Sequence, residues 1–379
     1  MRIAVNTRLL LSGKLEGLGR FACETLKRIT SSHPEHEFIF IFDRKFSREF
    51  IFSNNIVPVI AHPQARHPLL WYLFFDWGVP PVLRKFKPNL FLSPDGWLSL
   101  RTNVPSLPVI HDLNFFHNKQ WVSNLPGIYY NFFFPRFINR AVRIATVSEY
   151  SAKDISSRFR IDRNLIDVVY NGAGADLKPV DAALAQKTRN IYTQGNPYFL
   201  FLGLVHPRKN LARIIEAFNI YKKNAGDNMC LFIAGSTKYM SPDTKNAYLT
   251  SPYRENILFC GRLPESELHA VMGSASALIY ASLFEGFGIP VIEAMSCGVP
   301  VITSDLTSMP EVGGEAAFYV NPYSAESIAY GMSAIQNDEK LRNKLISLGL
   351  ERKGQFSWEK TAALLWKSIE SALSNEYTK

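Results

Sequence analysis

The stretch SLFEGFGIPVIEAMSCGVPVITSD, residues 282–305, decides the fold because it joins two strands through a turn and a helix. We predict that the strand ALIYAS ends at Ser282, that LFEGFG forms a tight turn, and that Pro290 lies in the first turn of the next helix. A second strand follows at VPVITS. The order strand, helix, strand is typical of a parallel α/β sheet, and it leaves Glu285 and Glu293 as two carboxylates in an otherwise apolar run.

The same alternation extends over the whole chain. Short β-branched or aromatic runs alternate with longer amphipathic segments, which predicts an α/β fold built on parallel sheets. A chain of 379 residues with 47% hydrophobic residues suits two packed domains. Residues 174–197 are more polar and lack strand character, so we predict the linker there.

Composition and charge exclude several classes of protein. Cys23, Cys230, Cys260 and Cys297 are far apart and form no CxxC pair, which argues against both a zinc site and a disulfide framework and favours a reduced, cytoplasmic setting. The net charge of +9 favours anionic partners, either a phosphorylated small molecule or an anionic membrane surface. The basic residues are scattered and no nucleic-acid-binding motif occurs, so nucleic acid ranks last.

The carboxyl ends of the predicted strands hold the candidate site, because ligands bind at that edge of an open α/β sheet. Glu285 ends a strand, and Gly286 and Gly288 would let main-chain amides approach a ligand. A carboxylate near a helix N-terminus can also simply complement the helix dipole. That alternative explains Glu293 but leaves Glu285 unexplained.

A pair of cations occupies a similar position in FLGLVHPRKNLARI, residues 201–214. Gly203 ends a strand, and Arg208 with Lys209 comes just before a helix for which Asn210 is the predicted N-cap. Two adjacent cations at such an edge can neutralise a diphosphate. An isolated Arg-Lys pair is more often solvated surface, and its place in the strand-helix pattern favours the site.

Two weaker signals occur in the first half of the chain. In GKLEGLGRF, residues 13–21, Gly17 and Gly19 would open a loop that accepts anions, although an ordinary turn fits the residues equally well. In LPVIHDLNFF, residues 107–116, His111 and Asp112 end a strand. A lone histidine is usually structural, so the pair does not by itself define a catalytic site.

Taken with these flanking motifs, EGFGIPVIE resembles the E-x7-E signature of the retaining glycosyltransferases of the group 1 type. The resemblance extends over nearly the whole chain. It implies the GT-B architecture, an α/β fold of two Rossmann-like domains whose parallel sheets face each other across a cleft. It also implies an N-terminal, acceptor-side domain at residues 1–180, joined by a returning helix at 357–375, and a C-terminal nucleotide-sugar-binding domain at 190–356.

The resemblance also assigns roles to residues. Glu285 would lie at the donor sugar and Glu293 at the nucleotide ribose. The groups implied to act at the reacting sugar and the leaving diphosphate are Glu285, His111, Arg208 and Lys209. The residues implied to bind the donor are Gly17, Gly19, Gly203, Arg262, Leu263, Phe287, Gly288, Ile289 and Glu293.

The expected activity is transfer of a sugar, with retention, from a nucleoside diphosphate sugar to a hydroxyl of a saccharide or lipid-linked saccharide acceptor in cell-surface polysaccharide or lipopolysaccharide synthesis. GDP-mannose is the first choice of donor, which would make the enzyme a mannosyltransferase, and a UDP-sugar is the second. No D-x-D triplet occurs. We therefore expect no metal and no cofactor beyond the nucleotide sugar as co-substrate.

Two alternatives stay open, a sugar-nucleotide epimerase of the same architecture and a non-catalytic nucleotide-sugar-binding subunit. A cytoplasmic location is expected, and peripheral contact with the inner membrane face is left open. The aromatic stretches at residues 67–80 and 128–140 could line an acceptor site or touch a membrane, but buried core helices are the favoured interpretation.

Overall fold

The structure is a computed structural model that describes residues 1–15, 17–122, 124–174 and 176–374. Its described strands are β1 (Arg2–Asn6), β2 (Glu37–Phe42), β3 (Ile56–Ile60), β4 (Leu90–Ser93), β5 (Ser106–Ile110), β6 (Ile144–Thr146), β7 (Ile166–Val168), β8 (Tyr198–Leu202), β9 (Cys230–Ala234), β10 (Ile257–Gly261), β11 (Ala277–Tyr280), β12 (Val301–Ser304) and β13 (Ala317–Val320).

The described α-helices, in chain order, are α1 (Gly17–Ser32), α2 (Pro68–Leu73), α3 (Val79–Phe86), α4 (Asn114–His117), α5 (Asn124–Arg140), α6 (Glu149–Phe159), α7 (Ala182–Thr193), α8 (Leu211–Ala225), α9 (Pro242–Leu249), α10 (Glu265–Gly273), α11 (Ile289–Ser296), α12 (Met309–Gly313), α13 (Ala325–Asn337), α14 (Glu339–Arg352) and α15 (Trp358–Leu373). Within the described residues, none of these helices is both long and apolar enough to cross a membrane.

The chain forms two compact units, and each has its own parallel sheet. The strand order is β3-β2-β1-β4-β5-β6-β7 in the first unit and β10-β9-β8-β11-β12-β13 in the second. Every pairing between these strands is parallel. Both orders are those of a Rossmann fold, so the predicted fold class of two Rossmann-like α/β domains is confirmed. In each sheet the order reverses next to the first strand, between β1 and β4 or between β8 and β11, where open α/β sheets bind ligands.

The strands read as continuous apolar runs because helices cover both faces of each sheet. All five residues of β9 are buried, and so are the last five of β2. In α8 the predicted helical face is buried, at Leu211, Ile214, Ile215 and Phe218. The two cores are therefore formed by strand residues and by one apolar stripe of each covering helix.

The last helix returns to the first unit, which consists of Met1–Gly172 together with the segment that begins at Trp358. Trp358 is buried, and its ring lies edge-on to Phe21 of α1 with the centroids 6.4 Å apart. Glu359 accepts a hydrogen bond from Arg28 of α1 at 2.8 Å. The amphipathic stripe of α15 thus has a specific partner, and α1 and α15 complete the first unit together.

The first unit ends earlier than the predicted boundary at residue 180. The second unit begins at Ala173, because the segment that follows already packs on it. His269 of α10 lies 2.7 Å from the carbonyl oxygen of Lys178, and Pro179 packs beside Gly298. The polar stretch 174–197 also contains the helix α7, which Asp181 caps through the amide of Leu184, so most of the predicted linker is ordered structure of the second unit.

Candidate functional site

The reversal of strand order in the second unit brings the predicted cations and Glu285 together. Arg208 and Lys209 lie in a single 3₁₀ turn, Pro207–Lys209, in the connection that follows β8. Glu285 lies in the turn after the neighbouring strand β11. Parallel neighbours end at the same edge of the sheet, so residues far apart in sequence meet there.

At this edge of the second sheet, Glu285 forms two ion pairs. The guanidinium of Arg208 donates to its Oε2 at 2.7 Å, and the ammonium of Lys209 lies 2.5 Å from its Oε1. The side chain of Glu285 is 7% exposed and that of Lys209 is 8% exposed, whereas Arg208 is 28% exposed. A single buried carboxylate therefore orients two cations, and the guanidinium has the greater contact with solvent.

The protonation state of Glu285 follows from two opposing effects. Burial raises its pKa, but the charges of Arg208 and Lys209 and their hydrogen bonds outweigh burial and lower the pKa from 4.5 to about 2. Glu285 is consequently ionised throughout the neutral range. It is suited to orient and to accept hydrogen bonds, and it has no proton to give as a general acid.

Lys209 is held on its other side by Tyr280, the last residue of β11. The ammonium donates to the tyrosine hydroxyl and lies 4.3 Å from the centroid of the same ring. Gly203 lies beside the lysine stem, where a Cβ would lie 3.7 Å from Cε of Lys209, and its φ of +132° is a backbone conformation that favours glycine. Tyr280 is a site residue that the sequence analysis did not identify, because it resembles any other aromatic residue in a strand.

The turn between the two glutamates is fixed from behind by the segment that follows β12. The hydroxyl of Ser308 donates to the carbonyl oxygens of Glu285 at 3.0 Å and of Phe287 at 3.2 Å. Gly288 has φ +100° and precedes α11, which begins at Ile289. The first amides of α11 therefore emerge beside Glu285, where they can face an anion.

Glu293 lies in α11, about one turn from its start, and is 3% exposed. Burial, followed by the charge of Glu293, raises the pKa of the Cys297 thiol to about 12. The predicted candidates Arg262 and Leu263 follow β10, the outermost strand of this sheet. They share the carboxyl edge but are two strands away from β8, so the structure does not bring them to the cluster of Arg208, Lys209 and Glu285.

In the first unit, Gly17 and Gly19 do not form the predicted loop, because both belong to the first turn of α1. Gly19 is buried, and a Cβ there would lie 2.7 Å from the carbonyl oxygen of Leu9. A Cβ at Gly17 would have no neighbour within 4 Å. The glycine at 19 is thus required by a close backbone contact, whereas the glycine at 17 is not required by packing.

This difference gives a matched pair of variants. We expect Gly19→Ala to lower the free energy of unfolding by about 1–3 kcal/mol, since the new methyl group must displace either the Leu9 backbone or α1. Gly17→Ala adds its methyl group in open space and should leave the melting temperature within about 1 °C of the parent. Thermal melts of the two purified variants measure the difference, and equal melting temperatures would show that the Leu9 contact is not restrictive.

His111 follows β5 at the carboxyl edge of the first sheet. Its Nε2 lies 2.9 Å from the carbonyl oxygen of Pro94, and since a carbonyl can only accept, Nε2 carries the proton. Burial lowers the pKa of His111, so the ring is neutral in the neutral range. Its Nδ1 is therefore a hydrogen-bond acceptor. Asp112 accepts from the amide of Asn114 at 3.0 Å and so supports the loop.

The strand reversal of the first unit holds a buried polar network that the sequence analysis missed. Arg8, after β1, donates to Asp95, after β4, at 2.7 Å, and the two side chains are 9% and 4% exposed. Asn6 donates to the other carboxylate oxygen of Asp95 at 2.7 Å, and the Arg8 guanidinium lies 4.6 Å from the ring centroid of Trp97. Asp95 is the residue after Pro94, whose carbonyl oxygen contacts His111. The network around Asp95 therefore holds the backbone segment that positions the histidine ring.

Two family models match the chain, one in each half. The model described as Glycosyl transferases group 1 matches residues 185–352, and the model described as Glycosyltransferase Family 4 matches residues 16–176. The first match contains Arg208, Lys209 and both glutamates, and the second contains His111. The first match includes the strand reversal of the second unit, and the second match includes β4 but not β1 of the first unit.

Similar proteins agree with these models. O-antigen chain mannosyltransferase B of Escherichia coli is 26% identical over 359 residues, which cover 91% of this chain and 93% of that protein. O-antigen chain mannosyltransferase RfbU of Salmonella typhimurium is 29% identical over 76% of this chain and 75% of its own length. Among solved structures, sucrose-phosphate synthase of Thermosynechococcus elongatus has a TM-score of 0.77 at 17% identity, covering 98% of this chain and 99% of its own. HepE of Anabaena, in complex with UDP and glucose, has a TM-score of 0.73 at 15% identity, covering 98% and 100%.

Proposed function

From the premise that the chain is a glycosyltransferase of group 1, we propose that it transfers a sugar, with retention, from a nucleoside diphosphate sugar to a hydroxyl of a saccharide or lipid-linked saccharide acceptor. The observation that carries this proposal is the cluster of Arg208, Lys209 and Glu285 at the strand reversal of the second unit. It combines two cations that suit a diphosphate with one ionised acceptor that suits sugar hydroxyls.

The cations supply most of the proposed catalysis. As the bond from sugar to diphosphate breaks, negative charge grows on the leaving phosphate. Arg208 and Lys209 are already in position, because Glu285 orients them before any substrate arrives. The amides at the start of α11 add partial positive charge on the same side of the turn. This arrangement stabilises the leaving group without a reorganisation of side chains.

The proposal assigns Glu285 to binding and orientation of the donor sugar, and Glu293 to the ribose. An ionised carboxylate with two cationic partners is a weaker nucleophile than an unpaired one, which favours direct attack by the acceptor hydroxyl on the face that the diphosphate leaves. His111 keeps its proposed role as a polar contact of the sugar, through the acceptor nitrogen Nδ1. A glycosyl ester trapped on Glu285 and identified by mass spectrometry would contradict this assignment.

GDP-mannose is the proposed donor and a UDP-sugar the second choice. Two relatives that are 26% and 29% identical are named as O-antigen chain mannosyltransferases, which supports mannose and supports a role in lipopolysaccharide synthesis. The HepE structure contains UDP and glucose and is the reason for keeping UDP-sugars in the test. Arg262 and Leu263 stay candidates for contact with the nucleotide base.

A donor screen followed by product analysis tests the proposal. Thermal melts with GDP-, UDP-, ADP- and dTDP-sugars should show the largest rise for GDP-mannose, because a ligand of the native state raises its apparent stability. Incubation with the best donor and a lipid-linked saccharide should give a product whose new linkage is α by NMR. An epimer formed from donor alone would favour the epimerase, and binding without turnover over all acceptors would favour a non-catalytic subunit.

The proposed reaction needs no metal. A metal held by paired aspartates is disfavoured because the sequence has no D-x-D triplet, and the cations of the cluster can act on the diphosphate in its place. Turnover should therefore be unchanged in excess EDTA. Loss of turnover in EDTA, restored by added Mg²⁺, would overturn this part of the proposal.

We also propose that the first unit rests on an anionic membrane surface through α5. On this helix Leu125, Ile128 and Phe132 are 70%, 66% and 50% exposed and share one face at helical spacing. One turn further along the same face, the Arg136 guanidinium lies over the Phe132 ring at 3.6 Å. An exposed apolar stripe with a cation beside it, in a chain of net charge +9, suits an interface with acidic headgroups.

Flotation with vesicles tests this contact. We expect the chain to float with vesicles that contain phosphatidylglycerol and much less with phosphatidylcholine alone, and Ile128→Ser with Phe132→Ser should lower the bound fraction at least tenfold. Ile191→Ser is the matched control, since Ile191 is 65% exposed on α7 of the other unit. Equal flotation of both variants, or none by the parent chain, would exclude the α5 face as the contact.

A further inference from the structure

Three metal-binding side chains converge where α1 leads into β2, at the edge of the first sheet opposite His111. His33 and His36 flank Glu35 in the segment SHPEHE, residues 32–37. Nδ1 of His33 lies 3.5 Å from Oε1 of Glu35, and Nε2 of His36 lies 3.3 Å from the same oxygen. One ligand atom from each of the three residues lies within 4.8 Å of the other two. These distances between ligand atoms can be compared with those of a metal site of known geometry.

The separations fit the edges of a metal tetrahedron. Ligands bonded to Zn²⁺ at about 2.0–2.1 Å in tetrahedral geometry lie roughly 3.3–3.4 Å apart. Two of the three edges at this site are already 3.3 and 3.5 Å. The Met1 amine lies 3.3 Å from Nδ1 of His36, which makes Nε2 the nitrogen directed to Glu35.

The surrounding residues hold the three ligands in place. The side-chain amide nitrogen of Asn55 lies 3.0 Å from the carbonyl oxygen of His33 and 2.9 Å from that of His36, so it fixes the backbone of the segment. The Trp366 indole stacks on His33 with the ring centroids 3.6 Å apart, and its Nε1 donates to Glu370 at 2.8 Å. Supports of this kind orient ligands before a metal arrives and raise its affinity.

We propose that His33, Glu35 and His36 bind one Zn²⁺ ion, with water in the fourth position. Two neutral imidazoles and one carboxylate are ligands that Zn²⁺ prefers, and the carboxylate offsets part of its charge. The ion joins the end of α1 to α15 through the stack of His33 on Trp366. Its role is to stabilise the first unit, and it takes no part in sugar transfer, because the site lies at the opposite edge of the sheet from His111.

Calorimetric titration of the EDTA-dialysed, full chain with ZnCl₂ tests the site. We expect one ion per chain and a rise of melting temperature with added zinc. Glu35→Gln changes an exposed side chain and should weaken zinc binding at least tenfold while the unliganded protein melts as the parent does. His36→Gln should abolish the binding. Sugar transfer by Glu35→Gln should be unchanged with or without zinc.

His67→Gln is the control, because His67 is exposed on the same unit and precedes α2. It should bind zinc as the parent chain does. The proposal is overturned if the parent binds no zinc, if Glu35→Gln and His36→Gln both bind it with parental affinity, or if His67→Gln alone loses it. None of these outcomes bears on Arg208, Lys209 or Glu285, so failure of the zinc site and failure of the proposed transferase mechanism are distinguishable.

Discussion

Glu285→Gln is expected to abolish measurable sugar transfer, with turnover lowered at least 100-fold, and to destabilise the second unit. The neutral amide no longer offsets the charges of Arg208 and Lys209, which lose the group that orients them toward a diphosphate. Loss of one preorganised electrostatic group typically costs a factor of 10²–10³ in rate. The donor sugar also loses its ionised hydrogen-bond acceptor.

The stability loss has a defined pH dependence. The pKa of Glu285 is about 2 in the folded protein, against an ordinary value of 4.5. Because the folded value is the lower one, the ionised form stabilises the fold fully above about pH 4.5, by roughly 3 kcal/mol, and this contribution falls as the pH falls toward 2. The difference in unfolding free energy between the parent and Glu285→Gln should therefore be constant at neutral pH and shrink below pH 4.5.

A double-mutant cycle with Lys209→Met separates the ion pair from other effects. Each single variant leaves a buried charge without one of its partners, whereas the double variant removes both charges of the pair. Denaturant melts should show the double variant to be more stable than the sum of the single losses predicts, by about 1 kcal/mol or more. Additive losses would show that Lys209 and Glu285 do not act as a pair in solution.

Lys209→Met is the second large effect. We expect kcat to fall by a factor of about 10²–10³, because the ammonium stabilises charge that develops only as the diphosphate leaves. Methionine keeps the length and the apolar stem of the side chain, and the packing on Tyr280 is largely preserved. Steady-state kinetics with the donor identified by the thermal screen measure the change in kcat and KM separately.

Lys222→Met is the matched control for this experiment. Lys222 is a second buried lysine of the same unit, 5% exposed, paired with Asp227 at 3.4 Å near the end of α8. Its loss should destabilise the unit, as loss of Lys209 does, but leave kcat of the folded enzyme within about twofold of the parent. A parallel fall of kcat in both variants would mean that stability, and not the position of Lys209, controls the rate.

Hydrophobic pattern was sufficient to predict most of the fold, because most of the strands are short apolar runs and most of the helices have one apolar face. Strand β3, Ile56–Ile60, is harder to predict because Pro58 interrupts it and proline cannot donate a hydrogen bond to a sheet. It is an edge strand, where proline is tolerated because one side needs no hydrogen bonds. The loop predicted at Gly17 and Gly19 is wrong for a related reason: glycine favours turns in isolation, and only the close contact of Gly19 with Leu9 shows why a glycine lies in the first turn of α1.

The candidate site was predictable where local sequence carries the chemistry. Arg208, Lys209 and Glu285 lie in the turns that follow β8 and β11, and parallel strand order brings them together. Asn210 is at the predicted N-cap position but has φ +63° and donates to the carbonyl oxygens of Ala281 and Pro322 instead of capping α8. Such long-range partners leave no local pattern.

The residues that hold the site residues in place also leave no local pattern in the sequence. Ser308 and Tyr280 act through residues distant in sequence, and Arg8 and Asp95 are 87 positions apart in the chain. Each is an ordinary residue for its local element. Sheet topology, and not composition, determines which of them meet.

The return of α15 to the first unit inverts the order in which the two units can be completed during translation. The second unit is continuous from Ala173 to Ser357, so all of its residues are synthesised before Trp358. Until then Phe21 lacks the indole that covers it. The nascent first unit therefore keeps an uncovered apolar face on α1 while about half of the chain is synthesised, which exposes it to aggregation during that time.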